Sequence, residues 1–185
     1  MRSDLNFTSK ESGDFFDAQD TLTMRWISED EIRQVGDFRH LLRIWDSPSA
    51  SNKIMSRQDF TPHDLKGALG FIAILDLKVA NQKVIDAIVR LVGTQLTPVY
   101  GELTGKSINE MEAVVSKRVW DSVKKVFKTG KPVGRYSQVL SQKRPSLSMV
   151  SLFCPMASDR VNIDGILLQV SMRTADNAGF AAHCD

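Results

Sequence analysis

The stretch GFIAILDLKV, residues 70–79, decides the fold. Phe71, Ala73, Leu75, Leu77 and Val79 fall on alternate positions, the period of a strand with one apolar face. Asn81-Gln82 then reads as a turn into a second strand over residues 87–93. Helical material follows over residues 100–112 and is clearest over 116–129, where Val119, Val123, Val126 and Phe127 make the apolar face. Gly130-Lys131-Pro132 stops that helix. Three more strands are expected over residues 133–141, 147–156 and 163–172, separated by Gln142-Lys143-Arg144-Pro145 and by a turn between Asp159 and Asn162. Helices inserted after the second strand, with short turns elsewhere, predict an α+β fold: a five-stranded antiparallel sheet with helices on one face.

Toward the amino terminus, residues 48–69 read as a connector of small polar residues carrying Pro48 and Pro62. Before it, Ser28 and Glu31 have the spacing of a capping box. Ile32, Val35, Phe38, Leu41, Leu42 and Trp45 then recur at helical spacing, which predicts one amphipathic helix over residues 29–45. A single helix cannot bury so wide a stripe by itself. The stripe is therefore expected to lie outside the sheet–helix core and to form a dimer or partner surface. Residues 1–24, with Asp4, Glu11, Asp14, Asp17 and Asp20 against Arg2 and Lys10, are expected to be a disordered acidic tail. Residues 70–174 form the core domain, and 175–185 are expected to be a flexible tail.

The chain has 185 residues, 42% of them hydrophobic and 25% charged, and a net charge of +2. That is enough apolar material for one sizeable core. The near-neutral balance gives no global attraction to nucleic acid or to a membrane surface. No apolar run reaches the roughly 18–20 residues of a spanning helix, and the polar amino terminus lacks the apolar stretch of a secretory signal. A cytoplasmic location is expected. Two cysteines, Cys154 and Cys184, are too few for a disulfide framework.

Several patterns resemble chemical motifs. Gly101-Glu102-Leu103-Thr104-Gly105-Lys106-Ser107 looks like a phosphate-binding loop, which would make the chain a nucleotide-binding enzyme. That motif needs four residues between its glycines and a strand leading into it; here there are three, after a helical stretch. His40, His63, His183 and Cys184 are the metal candidates, and no pair has a metal-site spacing, so no metal is expected. Lys117, Arg118, Lys124, Lys125 and Lys128, with Lys131 and Arg135, could form a basic helix for phosphates or nucleic acid. An ordinary solvated face opposite the valines is the better explanation, and no aromatic ladder accompanies them. No nucleophile–base constellation is present, and an enzyme is not expected.

From Arg39 to Met172 the order of landmarks resembles a bacterial PAS domain, of the stand-alone subgroup common in alphaproteobacterial proteins of unknown function. The resemblance is carried by Leu41-Leu42-x-x-Trp45 and by Arg57-x-Asp59-Phe60-x-Pro62-x-Asp64-Leu65. It continues through FIAILDLKV, Arg90-Leu91-Val92-Gly93-Thr94, Leu103-Thr104-Gly105-Lys106-Ser107, Gly130-Lys131-Pro132 and Cys154-Pro155-Met156-Ala157-Ser158-Asp159. In this light the loop at 101–107 is the link between helices after the second strand. Arg57 and Asp59 are expected to pair and to pin the connector to the sheet.

The resemblance implies a sensory or protein-interaction module with a pocket between sheet and helices. A small apolar ligand there would be held by Phe71, Leu75, Val89, Leu91, Ile166 and Leu168. No flavin or haem is expected, because an Asn-Cys-Arg-like helix motif is missing and no histidine lies between Asp64 and Ala182. No effector segment is recognised beside the domain. Action in trans is expected, as a homodimer that binds a signalling protein, with no membrane span.

Overall fold

The computed structural model describes residues 21–47, 54–140 and 147–174. Its strands are β1 (Thr21–Ile27), β2 (Ile72–Ala80), β3 (Lys83–Val92), β4 (Val133–Leu140), β5 (Leu147–Met156) and β6 (Gly165–Thr174). They form one antiparallel sheet in the order β1-β4-β5-β6-β2-β3. The helices are α1 (Glu29–Gln34), α2 (Arg39–Trp45), α3 (Thr97–Tyr100) and α4 (Ala113–Thr129). The α+β class and the five expected strands are present, with a sixth added at the edge. That strand, β1, begins at Thr21, inside the stretch expected to be tail, and pairs along its whole length with β4.

The sheet is covered on both faces, where helices on one face were expected. β5 shows why: nearly every residue in it is buried, with Val150, Leu152 and Cys154 facing one layer and Met149, Ser151 and Phe153 the other. On one side α4 lays Val119, Val123 and Val126 against Phe153, Leu75 and Val89. On the other side the amino-terminal helices pack Ile32, Phe38 and Leu41 against Val150, Leu152, Cys154 and Leu167. α4 ends where expected: Gly130 takes the left-handed conformation (φ 65°) that closes a helix without a Cβ penalty.

The stripe from Ile32 to Trp45 is thus part of this chain's own core and forms no free dimer or partner surface. Phe38 and Leu41 are wholly enclosed, Ile32, Val35 and Leu42 are buried, and Trp45 packs against the same cluster. Nor is the helix continuous. The capping box forms as read, with Ser28 Oγ accepting from the Glu31 amide at 3.2 Å and Glu31 Oε2 accepting from the Ser28 amide at 2.7 Å. α1 then ends at Val35, and a tight turn at Gly36–Phe38 starts α2. The break is tied to the sheet. The Asp37 carbonyl accepts from Gln169 Nε2 at 2.7 Å, and its carboxylate accepts from Ser171 Oγ and Arg173. Gly134 on β4 permits the close approach, since a Cβ there would lie 2.5 Å from Ile27 and Ile32 side-chain carbons.

Candidate functional site

A partly open cavity of about 40 Å³ lies between α4 and the sheet. β2 contributes Ala73 and Leu75, β3 Val89, and β6 Leu168, all on the face toward α4. α4 closes it with Val115, Arg118 and Val119, and α3 contributes Tyr100. Three of the six expected pocket residues, Leu75, Val89 and Leu168, line this space. Ile166 is fully buried in the neighbouring core, opposite Leu75. Phe71 lies in the turn before β2 and borders a surface groove with Asp37 and His40.

Leu91 points the other way, against expectation. Leu75 pairs with Val89 but Ile74 pairs with Leu91, so Arg90 is an extra residue in the strand. That bulge reverses the alternation and places Leu91 beside Ile74 on the far side of the sheet. A groove of about 290 Å³ opens there, between the sheet and the connector. Of the landmarks noted in the sequence, Arg57, Pro62, Gly93 and Thr94 all line it. Gly93 permits the tight crossing of β3's end over Gly70, since a Cβ would fall 2.4 Å from the Gly70 carbonyl oxygen.

Cavity and groove therefore lie back to back, with one sheet between them. Along β2, Ile72 and Ile74 face the groove, while Ala73 and Leu75 face the cavity. Along β6, Leu167 faces the groove and Leu168 the cavity, and Val92 borders both.

The connector is pinned, but not by the expected pair. Asp59 receives both guanidinium arms of Arg160, whose Nη1 donates to Oδ2 at 2.8 Å, and also accepts from the Ser56 amide at 2.7 Å. The Arg160 hydrogen bond holds the Asp59 carboxyl below its usual value, against an opposing effect of burial. Arg57 instead donates to the Phe60 carbonyl at 2.8 Å and lies 4.6 Å from the centre of its ring. Asp64 caps a local turn, accepting from the Thr61 amide and hydroxyl, both at 2.7 Å.

The loop at 101–107 is not a phosphate cradle. Its amides are engaged within the chain: Gly105 donates to the Val89 carbonyl at 2.7 Å and Lys106 to Leu103 at 2.9 Å. Thr104 donates to Glu102 at 2.9 Å and Ser107 to Glu110 at 2.8 Å. Gly105 (φ 83°) supplies a left-handed turn, and the Ser107 hydroxyl donates to Asp86 at 2.6 Å, tying the link to β3. That hydrogen bond is the main cause of a lowered Asp86 carboxyl.

The basic run on α4 is split between surface and interior. Lys117, Lys124, Lys125 and Lys128 are exposed, whereas Arg118 and Arg135 are buried. Lys125 and Arg135 lie over the Trp26 ring, 4.0 and 4.4 Å from its centre. Arg135 Nη1 donates to the Arg118 carbonyl at 2.8 Å, and its Nη2 is 3.8 Å from Asp121. Burial lowers the Arg135 pKa, Asp121 opposes this, and the Arg118 charge adds to the lowering.

Arg118, expected on the basic face of the helix, instead turns inward. It is 7% exposed and borders the cavity. Its Nη2 donates to the Tyr100 hydroxyl at 2.8 Å, its Nη1 to Ser137 at 3.5 Å, and its buried Nε has no partner. The available signal was its place in the valine pattern, one residue before Val119 on the inward side of α4.

Among the described residues no cluster could hold a metal ion; His40 and His63 are both exposed, and His183 and Cys184 lie outside them. Cys154 is enclosed, and burial pushes its thiol pKa up, which makes it inert. No described helix is long and apolar enough to cross a membrane.

No curated protein and no solved structure matches the chain. A family model described as PAS domain matches residues 34–168, a span running from α1 through the connector, cavity and groove into β6. The chain belongs to the PAS domain family.

Proposed function

We propose that the chain is a sensory and protein-interaction module of bacterial signalling that acts in trans on a partner protein. In this reading a small ligand occupies the cavity beneath α4 and sets the state of the groove on the opposite face. The observation that carries it is the single-sheet separation of the two, with Ile74 and Leu75 adjacent in β2 and facing opposite ways. Packed interiors transmit displacement because they have little free volume. An occupant pressing on Leu75, Val89 and Leu168 would shift the strands that also carry Ile74, Leu91 and Leu167. Leu69 and Leu91, 46% and 44% exposed, give the groove an apolar rim suited to protein contact. The cavity's size favours an occupant of a few atoms over a flavin or haem. With the amino-terminal stripe buried, a homodimer would use this groove face.

Native mass spectrometry of the protein purified from its own host tests the reading. The expected result is a retained small molecule or a bound protein, the latter lost in a folded Leu91→Glu variant. A bare monomer in every preparation contradicts it.

A further inference from the structure

We propose that the solvent-facing side of α4 is a docking surface for the chain's own acidic amino-terminal segment, residues 1–20. Lys117, Lys124, Lys125 and Lys128 are exposed on α4, and Lys131 is exposed just beyond its end. None of the five has a carboxylate partner among the described residues, whereas Arg33, Lys78, Arg90, Arg160 and Arg173 elsewhere each meet one. Asp121, the single carboxylate within α4, faces Arg135. The chain's total of +2 conceals a separation of charge. Residues 1–20 carry Asp4, Glu11, Asp14, Asp17 and Asp20 against Arg2 and Lys10. Clustered lysines attract an anionic chain, and one tethered nearby acts at high effective concentration.

The tether lies beside the helix. Ser137, which pairs with Met24, meets Arg118, and Trp26, two residues further along β1, lies 4.0 Å from Lys125. β1 and α4 therefore run in the same sense, and the segment joins Thr21 toward the amino-terminal end of the helix. The 17 residues of α4 span about 25 Å. Twenty extended residues reach roughly 66–72 Å, enough to follow the helix from end to end.

The two stretches also match in order. On α4, Lys117 and Lys124 lie about one turn either side of Trp120, a half-buried ring whose indole donates to Asn109 at 2.7 Å. In the segment, Asp14 and Asp17 flank Phe15-Phe16, four residues short of β1. A phenyl ring seated on Trp120 would bring a carboxylate toward each lysine. Exposed ion pairs are weak singly, so the contact is a salt-sensitive cover that can yield to another anionic chain.

Carbodiimide cross-linking of the full chain at low salt, on an equimolar mixture of isotopically light and heavy protein, tests this by peptide mass spectrometry. Glu11, Asp14 or Asp17 is expected to join Lys117, Lys124 or Lys128 within one chain. The yield should fall about threefold in roughly 0.5 M sodium chloride, where screening acts within a few ångströms. Phe15→Ala with Phe16→Ala keeps every charge and lies outside the described fold. It should reduce the links severalfold and shift the Trp120 indole resonance, with circular dichroism unchanged. No links, or links spread evenly over Lys66, Lys78, Lys83 and Lys106, overturn the docking. Links chiefly between light and heavy chains give the surface to a second copy and overturn the intramolecular contact. Links unchanged in the double variant overturn the seat on Trp120.

Discussion

Asp59 and Arg160, 101 residues apart in the chain, are joined by both arms of a guanidinium, and this pair clamps the connector to the turn between β5 and β6. Backbone bonds run alongside it, from the Ile54 amide to the Arg160 carbonyl and from Ala157 to Met55. The folded Asp59 carboxyl sits below its ordinary value. Its contribution to stability is therefore complete above the ordinary carboxylate range and is lost as pH falls through the lowered folded value. Asp59→Asn should cost about 1.5–3 kcal/mol at neutral pH, the range for hydrogen bonds to charged groups. Urea denaturation at pH 7 and pH 3 checks this: the gap between wild type and variant should shrink in acid.

Phe38 and Leu42 belong to the layer beneath β5 and β6, so substitution there should act on folding. Phe38→Ala should lose about 3–5 kcal/mol, a large part of the roughly 5–15 kcal/mol that stabilises a typical domain. Phe38→Glu combined with Leu42→Glu should leave no folded protein by circular dichroism. A folded double variant with a smaller mass by light scattering would return the stripe to an interface.

Gly93 is held under the Gly70 carbonyl, where a methyl group has no space. Gly93→Ala should destabilise by about 1–3 kcal/mol, the range for overpacking, and should loosen the groove. Thermal denaturation measures the first effect, and faster amide exchange at Gln95, which donates to the Gly70 carbonyl, measures the second.

Millimolar magnesium–ATP should leave the melting temperature unchanged, and Lys106→Ala should behave as wild type. The loop amides that would hold phosphates already donate to Val89, Leu103, Glu102 and Glu110. Saturable stabilisation abolished by Lys106→Ala would contradict this assignment.

Local patterns were legible where the physics is local. The capping box at Ser28, the Gly130 stop and the limits of β5 follow from short-range hydrogen bonding and from periodicity. What depends on distant partners was not. Asp59 chose Arg160 over nearby Arg57, and no local spacing encodes a pairing across 101 residues. β1 is short and threonine-bearing, and it gains its hydrogen bonds only once β4 is in place. The bulge at Arg90 turned Leu91 away from Val89, because a single extra residue inverts a two-residue period. Arg118 was hidden in a run of lysines that reads as a solvated face.

The central claim, that an occupant of the cavity alters the groove across one sheet, is tested most directly by methyl NMR during a titration with dissolved xenon, a small probe suited to an apolar cavity. Leu75, Val89 and Leu168 report the cavity, and Ile74, Leu91 and Leu167 report the groove, beyond contact with the ligand. The account predicts that both sets shift saturably with one shared Kd. Shifts confined to the cavity methyls, or none in either set, would contradict it.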